Sequence, residues 1–178
     1  MLLSMLIAAC GAPTANAASP TQEAKAAYSS AKDTASIQYK VDRVKCESLA
    51  GNPRDVCIAE AKAAEKRAQA EAEVNYKGTE NARAAARKDI ANANYDVAKT
   101  RCDNMRGTDK DVCLAEANSA KVAAVEDAKA DKIVADARKD ASDDKRDAEY
   151  KVAKEKCEAL GGAAKDGCLN QVEVKFNK

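Results

Sequence analysis

The sequence predicts an all-α fold of elongated antiparallel helical hairpins, coiled-coil-like and stapled by disulfides at their turns. Three observations predict it. Alanine supplies roughly a quarter of the 178 residues, and Ala, Glu, Lys and Arg together fill nearly half of the chain, the composition of long helices. Six of the seven cysteines fall into three pairs, Cys46/Cys57, Cys102/Cys113 and Cys157/Cys168, each pair bracketing a glycine and separated by ten residues. Between the pairs there is little to stop a helix: Asp109 to Leu160 holds neither Gly nor Pro, and after Pro53 only Gly78 intervenes up to Arg106.

The N-terminus reads as an export signal of residues 1–17. Leu2 to Ala9 is an apolar run too short to span a bilayer, and Ala15-Asn16-Ala17 offers the small-x-small pattern of a signal-peptidase site. The basic residues expected ahead of such a run are missing, so a start upstream of Met1 stays open. A second reading takes Ile7-Ala8-Ala9-Cys10 as a lipobox, with Cys10 as a lipid-bearing N-terminus anchored in the outer membrane. On either reading the mature chain is exported to the periplasm or cell envelope, and Cys10 is its only route to a membrane.

The first helix is expected from about Pro20 to Ala50, ending at Gly51, the residue type preferred just past a helix end. Asn52 is placed to cap the next helix, with Pro53 at its first position and Asp55 in its first turn. Gly107 stops the second long helix, Thr108 caps the third, and Asp111 completes a capping-box-like pattern. The third copy has Gly161 and Gly162 before a last helix of about Ala163 to Asn177. The first thiol of each pair then lies about one turn before a helix ends, and the second about one turn after the next begins. They sit at similar heights on facing helices, so each hairpin is stapled to itself, at 46–57, 102–113 and 157–168. Export makes an even set of cysteines a disulfide framework. Zinc is disfavoured because no histidine assists and the thiols are not close-spaced; free thiols are the reading for a chain that is never exported.

The repeat reaches beyond the cysteines and divides residues 18–178, read as one elongated domain, into units of about 39–94, 95–149 and 150–178. Tyr39, Tyr95 and Tyr150 stand seven residues before a first cysteine, and Val41, Val97 and Val152 follow two places on. Leu49, Met105 and Leu160 come three after it. Helical spacing puts Tyr39, Cys46 and Leu49 on one face, a core position for the tyrosine. Two central helices of nearly equal length, each about 80 Å, then put the turns at 51 and 162 at one end and the turn at 107 at the other. Gly78-Thr79 is a site for a kink. A three- to four-helix bundle is expected at the first end and a thinner two-helix arm at the other.

Function is bounded mainly by what is missing. There is no histidine, the usual general base and commonest metal ligand. No Gly-rich phosphate loop, GxSxG elbow or CxxC pair occurs. A formal net charge of +1 argues against a nucleic-acid partner. No enzyme, cofactor or metal site is expected; protein partners or self-association are.

The stretch Glu60 to Val74 (EAKAAEKRAQAEAEV) resembles the alanine- and lysine-rich middle region of TolA, the envelope-spanning protein of Gram-negative bacteria. TolA's retained membrane anchor and C-terminal globular domain are not expected here. The Tyr…Cys…Gly…Asp-Val-Cys repeat from Tyr39 to Cys168 is similar to that of small exported, alanine-rich Gram-negative bacterial proteins, often labelled TolA-like or cell-envelope biogenesis proteins. The resemblance implies a non-enzymatic envelope protein acting as an extended structural or interaction module. The alternative is a periplasmic stress-protective or chaperone-like protein, because Asp136 to Ala148 (DARKDASDDKRDA) resembles the Lys/Asp/Ala repeats of desiccation-protective chains.

Overall fold

The structure is a computed structural model and describes residues 21–178. The export-signal residues, Cys10 among them, lie outside that range. Among the described residues all regular structure is helical: α1 (Gln22–Lys45), α2 (Gly51–Lys77), α3 (Glu80–Cys102), α4 (Gly107–Glu158) and α5 (Gly162–Phe176), with a single 3-10 turn at Cys46–Ser48. Each helix packs against the one before it and the one after it in the chain.

The three cysteine hairpins share one turn geometry. Leu49, Met105 and Leu160 each donate a backbone N–H to the carbonyl of the first cysteine, Cys46, Cys102 or Cys157, at 3.0, 2.9 and 3.0 Å. The next residue, Ala50, Arg106 or Gly161, is extended, with ψ of 155, 157 and 155°. Gly51, Gly107 and Gly162 then take a left-handed φ of 62, 55 and 54°, which L side chains resist and glycine does not. The sequence rule is therefore Cys-x-x-Leu/Met-x-Gly-x5-Cys. Each turn closes its own disulfide: Cys46–Cys57, Cys102–Cys113 and Cys157–Cys168, with Cα atoms 5.7, 5.7 and 5.5 Å apart.

Several boundaries differ from the expected ones. The first α-helix stops at Lys45, and each turn glycine is the first residue of the following helix rather than the last stop of the preceding one. The cysteines shift with those boundaries. Cys46 lies just past the end of α1, Cys102 is the last residue of α3 and Cys157 is the last but one of α4, none of them a full turn inside. Their partners Cys57, Cys113 and Cys168 lie deeper than the expected single turn, between one and two turns into helices that begin at Gly51, Gly107 and Gly162. The pairing survives because the extended residue and the left-handed glycine bring the second helix back past the end of the first. Neither Asn52 nor Thr108 caps: α2, α4 and α5 start without a side-chain cap hydrogen bond. The left-handed glycine redirects the chain in their place, and the Asn52 side chain instead donates to the Thr100 carbonyl, 2.6 Å away.

The larger correction concerns residues 53–106, expected as one helix. Gly78 is left-handed (φ 61°) and ends α2; Thr79 is extended and caps α3, its hydroxyl accepting from the Ala82 N–H at 3.2 Å. The chain turns back there, so α2 and α3 form an antiparallel hairpin of their own, with Arg101 on Glu60 and Arg67 on Asn94. The turns at 49–51 and 103–107 consequently lie together at one end, as the Asn52–Thr100 bond requires. Helices α1, α2, α3 and the first half of α4 stand side by side in chain order, and the rest of α4 runs on past them. At 52 residues α4 is about 78 Å long, and α5 folds back along its far end, with Lys178 on Asp147 at 2.9 Å. The expected bundle at the 51/162 end is not formed, because the reversal at Gly78 puts those two turns at opposite ends.

The core is thin. Its buried residues are mostly alanines, with Val97, Val172, Phe176 and the cysteines Cys46, Cys102 and Cys157. Alanine lets helix axes approach closely but removes little apolar area per residue. Closing each loop of about 12 residues adds roughly 3 kcal/mol on chain-entropy estimates. The staples therefore supply what the packing lacks.

Candidate interaction surface

The six paired cysteines are brought together as expected, but the two members of each pair differ in cover. The first of each is sealed: Cys46 and Cys102 are 0% exposed and Cys157 1%. The second of each, Cys57, Cys113 and Cys168, is only half-buried, on the second turn of the helix that follows. All six are structural bridges with no free thiol for chemistry.

The repeated tyrosines are half-buried against the partner helix rather than fully in the core. A lysine sits over each ring: Lys62 over Tyr39 at 4.9 Å, Lys121 over Tyr95 at 4.2 Å and Lys178 over Tyr150 at 5.9 Å. A cation over an aromatic face at a semi-exposed site contributes about 0.5–1 kcal/mol. These lysines do not share a repeat position, so the sequence spacing gives no hint of them. Leu49 leaves the buried face: it is 42% exposed at its turn, with Met105 at 44% and Leu160 at 45%.

Two tyrosines outside the repeat form a contact that sequence reasoning misses. Tyr28 of α1 stacks on Tyr76 of α2, with ring centroids 4.7 Å apart, and its hydroxyl donates to Glu73. The first hairpin is thus fastened at both ends, by Cys46–Cys57 and by this stack. The signal was present: the antiparallel register set by the disulfide carries Tyr28 opposite residues 73–76.

The electrostatics are those of paired surface ions. No polar or charged residue is buried among the described residues. Lys77 and the Tyr28 hydroxyl hold the Glu73 carboxyl below the usual carboxylate range. Lys45 and Gln38 do the same for Asp42, Lys139 for Asp143, Lys178 for Asp147 and Lys165 for Glu158. Between Ala137 and Glu149 every residue is exposed, so this part of α4 is a bare helix apart from the Lys178 ammonium on Asp147. It carries the Lys139–Asp143 pair at i,i+4 spacing, 2.6 Å apart.

Shallow grooves run between neighbouring helices. One, lined by Tyr28, Lys32, Lys66, Glu73, Asp89 and Asp96, mixes both signs of charge without a buried group to orient a substrate. No group of three or more His, Cys, Asp or Glu able to hold a metal occurs among the described residues. No described helix is long and apolar enough to cross a membrane. What the surface does offer is unpartnered apolar side chains. On α1, Ile37, Val41 and Val44 are 60, 48 and 62% exposed, and on α4 Ile133 is 68% exposed.

No family model matches the chain, and no curated protein or solved structure is found to be similar to it. The three disulfides are compatible with an oxidising, exported location.

Proposed function

We propose that this protein is a non-enzymatic, exported component of the bacterial cell envelope, a stiff helical spacer that presents helix faces to protein partners. The observation that carries this reading is the combination of a 52-residue helix with apolar faces left uncovered on a disulfide-stapled frame. Such a frame holds surfaces at fixed separation; the open, mixed-charge grooves give no place to enclose a substrate. The resemblance of the Tyr39 to Cys168 repeat to TolA-like exported proteins points the same way, and with it to the periplasm.

Fractionation of a Gram-negative host expressing the full chain tests it. The protein should leave with the periplasmic extract, its six paired cysteines resistant to alkylation until reduced. Intact mass should give a chain beginning at Ala18, whereas a diacylglyceryl adduct on Cys10 would make it a membrane-anchored lipoprotein. A reduced, cytosolic chain would overturn the proposal.

A second reading, a stress-protective or chaperone-like role, draws on the bare, charge-rich helix from Ala137 to Glu149. Suppression of client aggregation at stoichiometric amounts would favour it.

A further inference from the structure

In the row α1 to α4, the inner helices α2 and α3 are covered on two sides, whereas α1 and the first half of α4 are each covered on one. The repeat makes the two bare faces a matched pair. The offset of 56 residues that carries Cys46 onto Cys102 also carries Ala27, Ser30, Thr34, Ile37, Val41 and Val44 of α1 onto Arg83, Ala86, Ile90, Ala93, Val97 and Thr100 of α3. This α3 face packs on α2: Ala86 and Ile90 share a groove with Glu71 and Val74, and Val97 shares one with Ala63 and Arg67. Val97 is 8% exposed there, but its counterpart Val41 is 48% exposed, because α1 has no helix on that side. The same offset carries the α2 residues Glu60, Ala63, Arg67, Glu71 and Val74 onto Glu116, Ser119, Ala123, Asp127 and Ala130 of α4, all of them exposed.

Charge follows the same correspondence. The ion pair that crosses from α3 to α2, Arg101 to Glu60, maps onto Lys45 and Glu116. Lys45 meets only Asp42 of its own helix, and its side chain is 66% exposed. Glu116 makes no ion pair among the described residues. The bare α1 face has itself no charged residue at its six positions, which follow one another at alternating spacings of three and four, the spacing of a two-helix seam.

We propose that the bare α1 face of one molecule seats on the bare α4 face of a second copy, antiparallel and in the register in which α3 seats on α2, with Lys45 against the second copy's Glu116. The two faces are different, so the contact is heterologous and each added copy leaves a free edge for the next; assembly then continues as an open row or closes as a ring. A repeat array lacking polar end caps adds units in this way. The register matches α1 to residues of about 116–139 of α4, which leaves the arm beyond them clear of the contact. The proposal rests on reading the chain as an interaction module and names a second copy as its partner.

Sedimentation velocity on the disulfide-intact full chain, across the micromolar to millimolar range, tests it. The mass should grow with concentration past that of a dimer. Val41→Glu, at a half-exposed site, should leave the melting curve of the dilute protein unchanged and keep it monomeric at every concentration. Lys45→Glu should weaken association about tenfold, the scale expected when a surface attraction becomes a repulsion, and Glu116→Lys in the same chain should restore it. A chain that is monomeric throughout would overturn the proposal, as would a closed dimer unaffected by Glu116→Lys alone. The two readings fail separately: an exported, oxidised monomer removes the stacking and leaves the spacer, while a stacking chain found reduced in the cytosol removes the spacer.

Discussion

At the residue scale the turn glycines are distinguished by backbone angle rather than by space. A Cβ at Gly161 or at Gly162 would meet nothing within 4 Å, yet Gly162 has φ +54° and Gly161 is extended at φ −113°. Gly162→Ala should therefore cost about 1–2 kcal/mol, the penalty for an L residue in the left-handed region, and Gly161→Ala should be neutral or slightly stabilising. Denaturant titration of both variants separates them; equal effects would refute the assignment of the turn. Protonation gives a second residue-scale expectation. The carboxyls of Glu73, Asp42, Asp143, Asp147 and Glu158 are all held low by lysine partners. A depressed folded-state value means that their contribution is present above the unfolded-state value and is lost as pH falls through the folded one. With no histidine in the chain, the melting temperature should stay flat between about pH 5.5 and 8 and fall below about pH 4.

At the scale of elements, the hairpins differ in what holds them besides sulfur. The first has the Tyr28–Tyr76 stack. The second, closed by Cys102–Cys113, has the long α3–α4 contact and the Arg87–Asp131 ion pair across it. The third gathers Cys157, Val172 and Phe176 into a cluster, with Tyr150 and Leu169 packed against it, but α5 is only 15 residues long and a helix of that length is marginal alone. The α2–α3 pair has no disulfide and depends on Gly78, Thr79 and its alanines. Replacing Cys157 and Cys168 together by serine should cost roughly 3 kcal/mol at that hairpin. Hydrogen exchange should show it as loss of protection in α5 while α2 and α3 keep theirs; a uniform loss would mean that the chain unfolds as one cooperative unit. The bare segment of α4 makes a different prediction. Ala141→Pro interrupts a helix that packs on nothing there, so it should bend the arm and leave melting of the α1–α3 row within about 1 kcal/mol of the parent, even though proline costs about 3 kcal/mol within the helix it breaks.

For the whole molecule, an end-to-end helix of about 78 Å fixes the envelope. Small-angle scattering of the dilute chain should give a maximum dimension of about 80 Å or more. A radius of gyration near 16 Å, ordinary for a globule of this length, would exclude the extended arm. The valines at equivalent repeat positions show what sets exposure at this scale. Val41, Val97 and Val152 have the same local sequence role, yet they are 48, 8 and 55% exposed. Only Val97 lies on a helix flanked on both sides.

The cysteine spacing together with the turn glycine determined the three disulfides, because a left-handed glycine five residues after the first thiol returns the chain over a distance that one bridge can span. Composition alone determined helix throughout, since Ala-, Glu- and Lys-rich segments have no better local option. The direction of the chain after Lys77 was decided only by tertiary structure. Gly-Thr is compatible with a kink or with a full reversal, and local propensity scores both alike. What separates them is the alanine face of α2, which finds cover against α3 only if the chain doubles back. That one turn places the 49–51 and 103–107 ends together, carries the second half of α4 clear of α1, α2 and α3, and leaves Val41 without the helix that covers Val97.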